Sequence, residues 1–360
     1  MGKAGGTTTR REFVSGSALL TGSLGLGLSS GGSQAQTEPQ PEAGDRTVEG
    51  GFSTFQQRRR EALWSLLGDL PWTHEPAPPR VVSTEEHDEY TLERLVLDLN
   101  GVEPVPALLL IPKRLQHPAP GLLFIHWHAG EYGLGKEQLL RGTEVQPAYA
   151  PVLARMGVVT LAIDSWCFGE RQHDANGRRG EEDTFKLMLW RGQVLWGMMM
   201  FDEYRALSFL ASRPEVDAKR LGAMGMSMGS TKAWWLAALD PRVYMTIDIC
   251  CLTDYESLIA EHNLSGHGVY YFVPSLLKQF STTGVNELIV PRPHLSVNGR
   301  KDPLTPPAGV EKIRSRLLPL YREYGREEDC RIELFDCAHQ ELPVMRSTII
   351  DWMRRYLAVA

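Results

Sequence analysis

Gly225-Met226-Ser227-Met228-Gly229 is the stretch that decides the fold, because of the residues on either side of it. Residues 220–224 before it form a short and largely apolar run, which is typical of a buried strand. Residues 230–239 after it have a helical pattern that stops before Asp240-Pro241. A serine between two glycines, at the turn from strand to helix, is typical of a nucleophile elbow, which exposes the serine on a strained turn.

Apolar runs and helical patterns alternate along the rest of the chain. A hairpin opens it, with antiparallel strands at 90–100 and 105–112 joined at Asn100-Gly101. Further strands are predicted at 121–126, 158–164, 220–224, 243–250, 294–299 and 331–335. Helices are predicted at 52–70, 184–212, 230–239, 307–324 and 343–357. This alternation predicts an α/β fold, with a mostly parallel central sheet and helices on both of its faces.

The N-terminal residues 1–35 are predicted to be a twin-arginine signal peptide. Thr9-Arg10-Arg11-Glu12-Phe13-Val14 precedes a weakly apolar run, and Ser33-Gln34-Ala35 offers a signal-peptidase site. A disordered tail that happens to contain two arginines is the alternative. Residues 36–51 are rich in Gln, Pro, Glu and Gly and are interpreted as a linker, which leaves residues 52–360 as a single domain.

Composition narrows the class of partner and the compartment. The net charge is −6, and no basic stripe suggests a nucleic-acid partner. The apolar run near the N-terminus is too short and too rich in glycine for a membrane span, and no cysteine lies near it for a lipid anchor. We therefore expect export by the twin-arginine machinery to the periplasm or the medium, with no membrane anchor after cleavage.

The cysteine pattern does not indicate a disulfide framework. Five cysteines are present, which is an odd number, and Cys250 and Cys251 are adjacent within an apolar run. Buried free thiols are compatible with twin-arginine export, because its substrates usually cross the membrane already folded. A bridge between Cys330 and Cys337 is left open as an alternative.

A serine nucleophile needs a base, and the base needs an acid that orients it. In this architecture the chain order is serine, then the acid, then histidine. Asp302 follows the predicted strand 294–299, and His339 follows the strand 331–335, so both lie at the same sheet edge as Ser227. Asp336 competes for the acid. His262, His267 and His294 compete for the base, but they come too early in the chain.

The oxyanion of such a reaction needs two N–H donors. The backbone N–H of Met228, at the start of the helix after Ser227, is the first candidate. The second is expected in the loop after the strand that ends at His126, from the N–H of Trp127 or His128. His126 and His128 are two residues apart, which raises a metal site as an alternative. No third ligand at a diagnostic spacing supports that alternative, and the predicted chemistry needs no metal or organic cofactor.

Two segments interrupt the plain alternation of strands and helices. Residues 165–182 and 252–283 both follow strand ends, where open α/β sheets bind their ligands, and we interpret them as short cap insertions that form the pocket walls. His126, Trp166, Glu170 and Arg171 are the predicted pocket residues. Arg171 could pair with a substrate carboxylate, and a surface salt bridge is the alternative fate for it.

Residues 201–210 and 212–217 lead through Arg220-Leu221-Gly222 into the elbow, and Gly169-Glu170-Arg171 follows Asp164. Together these stretches resemble the α/β-hydrolase fold, and within it the dienelactone hydrolase-like and acetyl xylan esterase-like enzymes. The resemblance covers residues 52–358 and implies the roles of nucleophile, acid and base for Ser227, Asp302 and His339. Dienelactone hydrolases proper use a cysteine nucleophile, and the family's His-Gly is His126-Trp127 here.

These residues predict a serine esterase that forms an acyl-enzyme. Because Trp127 narrows the acyl side, we expect a small acyl group, such as an acetyl or aromatic ester of a carbohydrate or of another small molecule. A peptidase or amidase with the same catalytic residues is one alternative. A non-catalytic binding protein on a hydrolase scaffold is the other.

Overall fold

The apolar runs of the sequence form one sheet in the computed structural model, which describes residues 51–115, 118–128, 130–172 and 177–357. Within these ranges the sheet has nine strands: β1 (Arg80–Glu86), β2 (Tyr90–Leu97), β3 (Val105–Pro112), β4 (Ala119–Ile125), β5 (Val159–Ile163), β6 (Val216–Met226), β7 (Val243–Ile249), β8 (His294–Gly299) and β9 (Cys330–Phe335).

The α-helices of the same ranges come before, between and after these strands. They are α1 (Gly51–Ser65), α2 (Gln138–Arg141), α3 (Ala150–Arg155), α4 (Arg178–Trp190), α5 (Leu195–Ala211), α6 (Met228–Leu239), α7 (Tyr255–Ala260), α8 (Thr282–Asn286), α9 (Pro307–Glu323) and α10 (Pro343–Tyr356). The export signal and the linker predicted at residues 1–35 and 36–51 fall, except for Gly51, outside the described residues and stay predictions.

The strand order is β1-β2-β3-β5-β4-β6-β7-β8-β9. The first three strands and the β3–β5 pair are antiparallel, and every pair from β5 through β9 is parallel. Every residue of β4, β5 and β8 is buried, so both faces of the central sheet are covered. The predicted α/β-hydrolase architecture, with an antiparallel hairpin before a parallel sheet, is confirmed. None of the described helices combines the length and apolar character that crossing a membrane requires.

Several elements differ from the sequence prediction. The short helices α2, α3, α7 and α8 were not predicted. Strand β1 was not predicted either, because none of its residues is buried and an edge strand facing solvent has no apolar periodicity. The single helix expected at 184–212 is two helices, α4 and α5. Gly192 separates them with a positive φ of 76°, and its carbonyl accepts a hydrogen bond from the N–H of Asp69 at 2.9 Å.

The elbow is a place of very close backbone contact between β4, β6 and α6. A Cβ on Gly229, in the first turn of α6, would lie 2.0 Å from the carbonyl oxygen of Ile125 at the end of β4. A Cβ on Gly225, in β6, would lie 2.5 Å from the same oxygen and from the backbone of Gly229. Only glycine fits at both positions, because the atoms in the way are backbone atoms that cannot rotate aside.

We expect Gly229→Ala to destabilise the protein by about 3 kcal/mol, because the added methyl group must displace the end of β4. Gly284→Ala in α8 is the matched control, since its Cβ would approach nothing closer than the Ser281 hydroxyl, at 3.4 Å. That control is expected within about 1 kcal/mol of wild type. Urea unfolding measures both, and equal stability of the two variants would contradict the steric argument.

Candidate active site

Ser227 stands at the apex of the turn between β6 and α6. Its backbone has φ 53° and ψ −116°, a conformation that non-glycine residues rarely adopt. Its N–H donates to the Ile249 carbonyl at 2.8 Å, and its carbonyl accepts from the Thr231 N–H at 3.0 Å. Backbone hydrogen bonds on both sides thus hold the strained turn in place. The residue is buried to 7% exposure, so its hydroxyl lies in a recess rather than on the open surface.

The first residue of α6 is Met228, directly after Ser227. The N–H groups of the first helical turn have no carbonyl partner within the helix, and the helix dipole places partial positive charge there. The N–H of Met228 is therefore suited to bind negative charge that develops next to Ser227.

Asp302 and His339 meet at the edge of the sheet, although 37 residues separate them in the chain. His339 Nδ1 lies 2.6 Å from Asp302 Oδ2, and the other oxygen of Asp302 accepts a hydrogen bond from the Leu304 N–H at 2.9 Å. The Asp302 side chain is fully buried, whereas that of His339 is 18% exposed. His339 Nε2 is buried and has no hydrogen-bond partner among the described residues. With Nδ1 held by a carboxylate, Nε2 is the nitrogen free to accept a proton.

Three observations show that the Asp302–His339 pair lies near the elbow at Ser227. Ile249, which binds the Ser227 N–H, is followed by Cys250, whose sulfur lies within 4.8 Å of ligand atoms of Asp302 and His339. The ring centroids of Trp127 and His339 are 5.8 Å apart. Trp127 in turn lies two residues after Ile125, which contacts the elbow glycines. The elbow, the Asp302–His339 pair and Trp127 therefore share one end of the sheet.

The competing candidates lie elsewhere or are engaged. Asp336 is exposed and pairs with Lys301 at 2.8 Å. His262 is exposed, and His294 is buried against Asp248 at 2.6 Å. His267 lies 3.2 Å from the Leu304 carbonyl and stacks on Tyr271.

The hydrogen bonds of the loop after β4 distinguish the two candidates for the second oxyanion donor, the N–H groups of Trp127 and His128. The Trp127 N–H donates to the side-chain oxygen of Gln138 at 3.0 Å, so it is not free to bind an oxyanion. The expectation that the Trp127 N–H could supply this donor is therefore wrong. The sequence gives no sign of this, because the residue that occupies the N–H, Gln138, lies eleven residues further along the chain. The N–H of His128 is the remaining candidate.

The rings of His126 and His128 have hydrogen-bond partners at all four nitrogens. His126 Nε2 accepts from the Ser165 N–H at 3.0 Å, and its Nδ1 lies 2.9 Å from the Trp127 carbonyl. His128 Nδ1 accepts from the Gly130 N–H, and its Nε2 lies 3.2 Å from the Tyr270 hydroxyl. Burial lowers the pKa of His126 well below its usual value, with a contribution from the positive charge of Lys232. The His-x-His pattern is thus used for internal hydrogen bonds rather than offered to a cation.

Of the predicted pocket residues after β5, Arg171 and Trp166 are buried and Glu170 is exposed. Arg171 is buried and not at the surface, because its guanidinium pairs with Glu103 at 2.6 Å and Asp202 at 2.8 Å. Trp166 is buried beneath it, 4.5 Å from the guanidinium carbon. The Glu170 side chain is mostly exposed and is bound by Lys136. The charge of Arg171 is therefore neutralised inside the protein, rather than by a substrate carboxylate or by a salt bridge at the surface.

The two segments interpreted as pocket walls meet at His128. From 165–182, Phe168 stacks on the His128 ring with centroids 5.5 Å apart, and from 252–283, Tyr270 contacts the same ring. Tyr132 adds a third aromatic ring, 4.7 Å from Phe168. The wall beside residues 127–128 is therefore largely aromatic, and the buried carboxyl group of Glu181 adjoins it, accepting a hydrogen bond from the Tyr132 hydroxyl at 2.6 Å.

All five cysteines are free and buried, so Cys330 and Cys337 are not bridged. Burial raises the pKa of Cys250 well above its usual value, so its thiol stays protonated beside Asp302.

Comparison with known proteins now identifies the family. A family model described as "Abhydrolase family" matches residues 34–303, which is most of the chain. This chain belongs to the abhydrolase family. The Bacillus subtilis protein named "Putative hydrolase YtaP" is 42% identical to this abhydrolase over 301 residues, covering 83% of this chain and 99% of the relative.

Solved structures with the same fold include two proteins named as esterases. The glucuronoyl esterase from Solibacter usitatus superposes with a TM-score of 0.61 at 15% identity, covering 89% of this abhydrolase and 97% of that chain. Acetyl Xylan Esterase 1 from Thermoanaerobacterium sp. JW/SL YS485 superposes with a TM-score of 0.55 at 17% identity, covering 85% and 99%. The predicted resemblance to acetyl xylan esterase-like α/β-hydrolases is confirmed at the level of the fold.

We expect the abhydrolase to lose stability as the pH falls from about 6.5 to about 4. Burial lowers the pKa of His128 and of His267 to about 4, whereas an unfolded histidine titrates near 6.5. In this window the unfolded chain binds protons that the folded chain does not, so the free energy of unfolding falls with pH.

His267→Gln removes one of these protons and should reduce the slope of that loss by up to about 1.4 kcal/mol per pH unit. The matched control is His262→Gln, at an exposed histidine, which should leave the slope unchanged. Urea unfolding at a series of pH values measures both slopes. A slope for His267→Gln equal to that of wild type contradicts the assignment.

Proposed function

We propose that this abhydrolase hydrolyses carboxylic esters with Ser227 as nucleophile, His339 as base and Asp302 as the acid that orients the base. The observation that carries the proposal is the Asp302–His339 hydrogen bond, which leaves the buried Nε2 of His339 without a partner beside the elbow. An imidazole held in this tautomer is what a serine nucleophile requires. The strained backbone of Ser227 gives independent support, since a turn of that kind persists where function needs it.

In the first step, His339 Nε2 takes the hydroxyl proton while Ser227 Oγ bonds to the ester carbonyl carbon. Asp302 stabilises the imidazolium that results. The imidazolium then gives the proton to the leaving alcohol, and the carbon–oxygen bond of the ester breaks to leave an acyl-enzyme. In the second step a water molecule gives one proton to His339 while its oxygen bonds to the acyl carbon. The bond between that carbon and Ser227 Oγ then breaks, the imidazolium returns its proton to Oγ, and the acid is released.

The tetrahedral intermediates carry a negative oxygen, for which we propose the N–H groups of Met228 and His128 as donors. Met228 is favoured by its place at the start of α6, and His128 by the loss of the Trp127 N–H to Gln138. Removal of one such donor typically lowers kcat by about 10²- to 10³-fold.

For the substrate we propose a neutral ester with a small acyl group, such as an acetylated or aromatic-acid-decorated carbohydrate. The Trp127 indole packs on His339 and takes space on the acyl side, while the wall formed by Phe168 and Tyr270 suits a sugar or aromatic ring. The buried cations described around the loop, Lys136, Lys232 and Arg171, all pair with carboxylates, which disfavours an anionic substrate. The glucuronoyl and acetyl xylan esterases of the same fold agree with this class.

Ser227→Ala is expected to lower kcat on p-nitrophenyl acetate by about 10⁴-fold or more with little change in melting temperature. Ser230→Ala is the matched control, because Ser230 is a buried serine in the first turn of α6, three residues after Ser227, and its hydroxyl has no described partner. That control should keep wild-type activity. A Ser227→Ala variant with activity near wild type would falsify the assignment. A p-nitroanilide substrate run in parallel distinguishes ester from amide cleavage.

Trp127→Ala is expected to widen acyl specificity, because it removes the indole beside His339. The ratio of kcat/KM for p-nitrophenyl octanoate to that for the acetate should rise about 10-fold or more, in line with the worth of several methylene groups in an apolar pocket. Trp352→Ala is the control for loss of a large buried side chain, since Trp352 packs on Tyr356 in α10. An unchanged ratio in Trp127→Ala means that the indole does not limit the acyl group.

A further inference from the structure

Gln138, the first residue of α2, binds the backbone of Trp127 with both the oxygen and the nitrogen of its side-chain amide. Trp127 lies in the loop after β4 that contains the proposed donor His128, and we call this loop the oxyanion loop. The amide oxygen of Gln138 accepts a hydrogen bond from the Trp127 N–H at 3.0 Å, and the amide nitrogen donates to the Trp127 carbonyl. The side chain is 1% exposed, so water does not compete for either bond. The mechanism proposed above gives this residue no role.

The Trp127 carbonyl also has a second donor, which follows from the tautomer of His126. The ring is neutral, because burial lowers its pKa well below the usual value. Its Nε2 accepts from the Ser165 N–H, so the single ring proton is on Nδ1. That proton is donated to the Trp127 carbonyl at 2.9 Å. Gln138 and His126 thus hold one carbonyl oxygen from two sides.

The Trp127 carbonyl and the His128 N–H belong to the same peptide group. In a planar trans peptide the two bonds point in opposite directions, so fixing the carbonyl also fixes the direction of the N–H. Two donors on the oxygen also polarise the amide and strengthen its N–H as a hydrogen-bond donor. The His128 N–H is the second oxyanion donor proposed above.

We infer that Gln138 is a positioning residue that orients the His128 N–H toward the oxyanion, and that it also withdraws the Trp127 N–H from that role. The inference rests on the proposed function of Ser227 and His128.

The support of Gln138 is itself rigid. Two residues before it, the backbone N–H and the ammonium group of Lys136 both donate to Asp164, each at 2.8 Å. Asp164 follows β5 directly and is fully buried. The oxyanion loop is therefore tied through Gln138 to the end of β5, as well as directly to β4. Preorganised donors of this kind stabilise a transition state without moving during the reaction.

The test compares Gln138→Met, which keeps the length of the side chain and removes both hydrogen bonds, with Gln56→Met. Gln56 is the matched control because it is a buried glutamine whose amide donates to two backbone carbonyls, those of Glu287 and Val290, outside the site. For Gln138→Met we expect kcat on p-nitrophenyl acetate to fall about 10- to 100-fold, with KM within about two-fold of wild type. The inhibition constant of a trifluoromethyl ketone, whose adduct with serine carries an oxyanion, should rise by a similar factor.

The control should lose a similar amount of melting temperature and keep kcat and the inhibition constant within about two-fold. If Gln138→Met does not fold, the same measurements are made on Gln138→Asn. The asparagine side chain is one methylene group shorter, so its amide is retained but cannot reach the Trp127 backbone in the same way. Unchanged kcat and unchanged inhibition in the folded variant overturn the inference. That result differs from failure of the proposed function, in which Ser227→Ala keeps its activity and the ketone does not inhibit the wild-type enzyme.

Discussion

The carbonyl oxygen of Ile125 lies against both glycines of the elbow, and the arrangement of the site depends on this contact. It brings the end of β4, the end of β6 and the first turn of α6 closer than any side chain would allow. Because Trp127 and His128 come two and three residues after Ile125, the same contact constrains how far this loop stands from Ser227. The N–H groups of Met228 and His128, which we propose as oxyanion donors, are thus placed by backbone packing rather than by their own side chains.

A buried ion pair supports the loop after β5, which lies next to His126. Lys232 of α6 pairs with Glu203 of α5, and its ammonium group also contacts the Ser165 hydroxyl beneath His126. Removing one partner of such a pair leaves a buried charge uncompensated, which costs several kcal/mol. These charges therefore couple the loop after β5 to the helix that carries Ser227, and they leave the substrate side of the loop to aromatic rings.

Much of the fold was predictable because local patterns and tertiary packing agree. The strand, turn and helix around Ser227, and the positions of Asp302 and His339 after strands, follow from apolar periodicity and chain order. The failures come from non-local contacts. The helix expected at 184–212 breaks at Gly192 because the chain near Asp69 pairs with it. Arg171 has neither of the two fates considered for it, a substrate contact or a surface salt bridge, because Glu103 and Asp202, distant in the chain, pair with its buried guanidinium.

The sequence by itself determined the α/β architecture, the elbow at Ser227 and the order in which nucleophile, acid and base candidates occur. Periodicity, glycine spacing and chain order are local properties, so one sequence suffices to recognise them. Only the tertiary structure decided that the Trp127 N–H is occupied, that the His126 ring joins the segments after β4 and β5, and that His339 Nε2 has no partner among the described residues. Which donor remains unpaired depends on partners that folding brings from elsewhere in the chain, and no local pattern in the sequence contains that information.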